Sequence, residues 1–81
     1  MQASEAKLLA TFGRSMRSFR KQRGLSQDDL AVAAKLSRNY VSDIERGARN
    51  PGLLALVRLS RALRLPLRDM LEDAEPRLRR D

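Results

Sequence analysis

Within the six positions 38–43, Arg38, Asn39, Ser42 and Asp43 carry side chains of the kind that read base edges. The arginine fork matches the two acceptors of guanine, and the asparagine amide matches adenine or, alternatively, a phosphate. Asp43 can accept from cytosine or exclude wrong bases by repulsion, and Ser42 offers a secondary contact. Around this group stand residues suited to a sugar-phosphate backbone: Gln27, Ser37, Tyr40, Arg46, Arg49 and Asn50. The Asn-, Pro- and Gly-rich turn at 48–52 would lie along that backbone, with Arg49 on a phosphate and free amides near Leu53 forming an anion site. Catalytic chemistry is poorly served by contrast. The chain has no cysteine and no histidine, which removes disulfides, thiolate nucleophiles, the usual zinc ligands and the commonest general base. Its adjacent carboxylates, Asp28 with Asp29 and Glu72 with Asp73, read as a helix start suited to the dipole and a solvated helix end. The expectation is no catalytic, metal or cofactor site, and no small-molecule ligand.

Two short helices with a tight corner must position these residues. Ser26 and Asp29 form a capping box, which starts a helix at Gln27. Leu30, Ala31 and Ala34 share one face of it, and the alanines let a second backbone come close at a steep crossing. The corner follows at Lys35 and Leu36. Ser37 caps the second helix, 38–46, whose Val41 and Ile44 point inward and leave Arg38, Asn39, Ser42, Asp43 and Arg46 outside. Gly47 supplies a left-handed stop.

Gly24-Leu25-Ser26-Gln27, then Leu30-Ala31, Val41, Ile44 and Glu45-Arg46-Gly47, together resemble the lambda-repressor-like, Cro/Xre-type helix-turn-helix family over about 13–71. The runs Arg38-Asn39-Tyr40, Ile44-Glu45-Arg46-Gly47 and Arg49-Asn50-Pro51 are most similar to the controller proteins of restriction-modification systems. This resemblance implies an all-α, five-helix DNA-binding domain with its helix-turn-helix at about 26–46. It also implies a structural ion pair, because the family's arginine at the position of Arg20 pairs with the glutamate matching Glu45. Arg20 follows the core residue Phe19, where a lone guanidinium would be costly, so a carboxylate partner is required there. The chain departs from the family at the corner, where Lys35 stands in place of the usual glycine or asparagine. A side chain at positive φ costs about 1 kcal/mol.

The remaining chain fits a small helical domain. Lys and Arg number 17 against 10 Asp and Glu, a net charge of +7 that favours a polyanionic partner. Fourteen of the 17 are arginine, which suits phosphate and guanine but follows equally from a GC-rich genome. Leu8, Leu9, Phe12, Met16 and Phe19 make one face of a first helix at 5–23; a basic amphipathic helix can also lie on a membrane, but these residues are more simply core. Leu53, Leu56, Val57, Leu59 and Leu63 are expected to face inward from a fourth helix at 53–65, which Pro66 breaks. Leu67, Met70 and Leu71, with Leu63 and Leu65 beside them, are expected to form an apolar dimer interface. A domain at 1–73 and a charged, mobile tail at 74–81 follow, the tail arginines Arg77, Arg79 and Arg80 adding non-specific affinity or none. No apolar run exceeds about five residues, so neither signal peptide nor membrane span is expected, and the protein is placed in the cytoplasm. The expected function is a transcriptional regulator, acting alone as a homodimer on a palindromic operator in double-stranded DNA. An antitoxin that binds DNA only with a partner protein is the alternative, and a helical module that does not bind DNA is a third.

Overall fold

In the computed structural model, which describes residues 2–75, both serine caps form as the sequence requires. Ser26 Oγ accepts from the Asp29 amide at 3.0 Å while Asp29 Oδ2 accepts from the Ser26 amide at 2.9 Å. Ser37 Oγ accepts from the Tyr40 amide at 3.0 Å. The elements in order are α1 (Ala3–Gln22), α2 (Gln27–Ala34), α3 (Arg38–Glu45), α4 (Leu53–Leu63) and α5 (Leu67–Met70), followed by a 3-10 turn at Glu72–Ala74. Among the described residues there is no strand.

The first four helices stop in one way. Gly24, Lys35, Gly47 and Arg64 take φ of 70°, 57°, 74° and 56°. In each case the next amide reaches back five residues: Leu25 to the Arg20 carbonyl, Leu36 to Ala31, Ala48 to Asp43 and Leu65 to Ser60, at 2.8–3.1 Å. These are Schellman closures, in which the residue after the left-handed one commonly packs inward. Leu25, Leu36 and Leu65 do so, lying against the core. Lys35 therefore has the strained corner geometry expected of it, and Arg64 repeats it at a second site.

The core joins Phe12 and Met16 of α1, Leu30, Ala31 and Ala34 of α2, Val41 and Ile44 of α3, Leu59 and Leu63 of α4 and Met70 of α5. Phe12 and Met16 are thus committed to the interior, which leaves α1 without the apolar face a membrane-surface helix needs. Two further contacts close the shell. Arg23 Nε donates to the Leu63 carbonyl at 2.8 Å, and Ser15 Oγ donates to Asp73 Oδ2 at 3.0 Å.

Three expectations need correction. Leu53 is 68% exposed rather than inward, and Ala55 is buried with Leu59 and Leu63; a run of five apolar residues fixes the presence of a helix but not its rotation. Leu63 and Met70 are 0% and 1% exposed, so neither can serve a dimer interface. The transfer gain of about 1.5–3 kcal/mol from each such side chain is realised inside one chain. Leu65, Leu67 and Leu71 are half-buried and keep an outer edge. Finally, Ala74 is buried and Asp73 is bonded to Ser15, so the packed unit runs past 73. The rest of the expected tail, 76–81 with Arg77, Arg79 and Arg80, lies outside the described residues.

Candidate nucleic-acid interface

An isolated eight-residue helix is unstable in water, so α3 depends on what holds it. Its back rests on α1 through two glycines. A Cβ on Gly13 would meet the carbonyl oxygens of Ile44 and Glu45, the latter at 2.6 Å; one on Gly47 would lie 2.9 Å from the Ala10 Cα. The Gly13 contact escaped the sequence reading. Its signal was a glycine inside a helical pattern, which costs about 1 kcal/mol against alanine and so points to close backbone approach.

The carboxyl end of α3 is fastened by the ion pair. Arg20 Nε and Nη2 donate to Glu45 Oε2 and Oε1 at 2.6 and 3.1 Å, while Nη1 donates to the Leu25 carbonyl at 2.9 Å. The side chains are 10% and 4% exposed. Hydrogen bonding to the Glu45 carboxylate raises the Arg20 pKa above its ordinary value, against the opposing effect of burial. Gln27 Nε2 also donates to Glu45 Oε1, at 3.1 Å. Gln27, expected on a phosphate, thus has one amide hydrogen engaged inside the fold.

The outer face of α3 divides in two. At its start Arg38 and Asn39 are exposed, and Arg38 Nε lies 3.4 Å from Asp28 Oδ1 on α2. At its end Asp43 is flanked by arginines: Arg46 Nη2 pairs with Oδ1, and Arg49 Nη2 lies 3.9 Å from Oδ2. Asp43 is therefore not a bare acceptor. It gathers two cations, and the Arg49 guanidinium also sits 4.8 Å over the Tyr40 ring. The Tyr40 hydroxyl accepts from the Gly52 amide at 3.4 Å, tying α3 to the start of α4. Ser42 is half-buried between the two halves. Ser37 holds its cap, and Asn50 is exposed beside Glu5, Leu8 and Leu9 of α1.

A two-helix unit of this shape, with a rigid corner and an outer face of Arg, Asn and Ser, suits a major groove about 12 Å wide. A helix-turn-helix family model matches residues 16–70. The chain belongs to the lambda-repressor-like (Xre-type) helix-turn-helix family. It is 40% identical over 62 residues to the control protein C.BamHI of Bacillus amyloliquefaciens, covering 75% of this chain and 76% of that one. It is 42% identical over 60 residues to the HTH-type transcriptional regulator DdrOP3 of Deinococcus deserti, covering 74% of this chain but 46% of that one. The chain thus spans just under half the length of that regulator. The crystal structure of the restriction-modification controller protein C.AhdI from Aeromonas hydrophila superposes with a TM-score of 0.76 at 40% identity, covering 76% of this chain and 94% of that one. The chain is thus a helix-turn-helix transcription regulator related to the controllers, in a DNA-binding family that is not enzymatic. Among its described residues no helix is long and apolar enough to cross a membrane.

Proposed function

We propose that the protein is a controller-type regulator that binds a palindromic operator as a homodimer, with α3 of each copy in the major groove. The observation that carries this is the outer face of α3, where Arg38 and Asn39 stand exposed on a helix whose other sides are fastened to the fold. Arg38 reads a guanine, and Asn39 reads an adjacent adenine or holds a phosphate. Ser42 adds a secondary base contact. Asp43 acts chiefly by arranging Arg46 and Arg49, which with Tyr40, Ser37 and the free half of Gln27 lie along the backbone. One helix reads only a few base pairs, so selectivity calls for two copies about 34 Å apart on the duplex. The contact between them uses the outer edges of Leu65, Leu67 and Leu71. Such a regulator works where the genome is, in the cytoplasm.

Selection of bound sites from random DNA tests this directly. The expected outcome is an inverted repeat with a guanine in each half, and Arg38→Ala should lose about 1–3 kcal/mol and relax preference at that base. A profile unchanged by Arg38→Ala refutes the assignment of α3. Sedimentation should show a dimer on the operator, reduced to monomer by Leu71→Asp. Wild-type protein that stays monomeric both free and on DNA refutes the dimer.

A further inference from the structure

We propose that Asp28 is a positioning residue for base reading, holding the Arg38 guanidinium from behind so that its two terminal nitrogens face the DNA as a fork. The proposal rests on Arg38 being the guanine reader. Asp28 is the second residue of α2 and Arg38 the first of α3, so the contact spans the corner and ties the two helix starts together. The approach is through Nε, 3.4 Å from Asp28 Oδ1. With Asp28 beside the Nε edge, the end-on pair of Nη1 and Nη2 is left for a bidentate contact. Guanine O6 and N7 are met by a pair of N–H groups, and among the described residues neither Nη of Arg38 has a hydrogen-bond partner. An arginine side chain free in water loses several rotors when it engages a base, and a carboxylate that already restricts it lowers that cost.

Beyond its favourable place in the first turn of α2, Asp28 makes no contact that holds the fold. The capping box of α2 is made by Ser26 and Asp29, and the side chains of the pair are 65% and 71% exposed. A carboxylate at this edge also repels phosphates. If Asp28 were only a surface charge, removing it would tighten binding to every sequence alike. A positioning role predicts the opposite for the cognate base, so the two are separated by sign.

The test measures equilibrium binding of the full chain to the site selected from random DNA and to the same site with its guanine replaced. Wild type, Asp28→Asn, Arg38→Ala and the double variant are compared, with thermal melts to check that each is folded. Asp28→Asn should lower the preference for guanine about five-fold, the most that a well-placed exposed pair contributes. In the Arg38→Ala background the same change should leave the preference where it is. Equal tightening on both sites, with the ratio kept, overturns the proposal while leaving Arg38 as the reader. An equal fall in the ratio with and without Arg38 also overturns it, because Asp28 then acts on something else. If Arg38→Ala itself leaves the ratio unchanged, Arg38 is not the reader and both assignments fall.

Discussion

Replacing Glu45 by alanine should unfold much of the protein under mild conditions. The carboxylate takes two bonds from Arg20 and one from Gln27, and the Arg20 and Glu45 side chains are 10% and 4% exposed. Without it the guanidinium keeps only its bond to the Leu25 carbonyl and remains a buried, unpaired charge. Breaking such a pair costs about 3–5 kcal/mol. At about 0.05–0.15 kcal/mol per residue, a chain of 81 residues holds roughly 4–12 kcal/mol in all, so the loss is a large share of it. Glu45→Gln keeps an acceptor and loses the charge, and should cost less, about 1–3 kcal/mol. Substituting both partners together, Arg20→Met with Glu45→Leu, removes the unpaired charge and should recover part of the loss. Urea melts of wild type, these three variants and Arg20→Ala give the comparison. Small and equal effects of Glu45→Ala and Arg20→Ala would show that the pair is not formed in solution, and with it the fastening of the carboxyl end of α3.

Lys35→Gly and Arg64→Gly should each leave thermal stability unchanged or raise it by up to about 1 kcal/mol, since relief of the left-handed strain is offset by entropy given to the unfolded chain; a clear drop in Tm would contradict the φ values at these corners. Gly13→Ala should destabilise by about 1–3 kcal/mol in urea melts although alanine is the better helix former, because its methyl group meets the carbonyls that end α3. Arg49→Ala should weaken all DNA sequences alike and reduce the slope of log affinity against log salt by about one, and a loss confined to the operator would make Arg49 a base reader instead. Asp29 is held below its ordinary pKa by the Ser26 amide and then its hydroxyl. As pH falls through the ordinary aspartate range the unfolded chain protonates first, so the cap's contribution fades through the lowered folded value; urea midpoints from pH 5 to 2 should fall more steeply in wild type than in Asp29→Asn.

Where a residue's effect is local, the sequence is enough to read it. Ser26 with Asp29, Ser37 and Gly47 each act through bonds to residues three to five positions away, and the two-helix unit follows from them. The Arg20 to Glu45 pair spans 25 positions and was legible only through the family resemblance. What could not be read was rotation and surplus. The run 53–57 is apolar all round, so nothing local says that Ala55 rather than Leu53 faces the core. Met70 packs in a core whose other members, Phe12 and Met16 among them, lie far from it in sequence, so its partners could not be read locally. Pro66 masks Arg64: a proline in the sequence marks the break, whereas the helix already turns at Arg64 and Leu65 in the manner of Lys35 and Leu36.

The arrangement of α3 separates holding from reading. Its inward residues Val41 and Ile44 fill the core, its end is carried by Glu45 and its backbone lies on Gly13, so none of the fastening uses the exposed side chains at 38 and 39. Tyr40 and Asp43 stand between the two tasks. Tyr40 bonds the start of α4 while offering its ring to Arg49, and Asp43 collects Arg46 and Arg49 without entering the core. An arginine outside a helix is ordinarily a mobile charge with little directional value, since its rotamer entropy must be lost again on binding. Here the arginines on and just beyond α3 are each given a contact on the protein: Asp28 for Arg38, Asp43 for Arg46, and Asp43 with Tyr40 for Arg49. Of the 14 arginines in the chain, Arg20 and Arg23 are held within the fold, and Arg38, Arg46 and Arg49 have a carboxylate beside them at the outer face of α3.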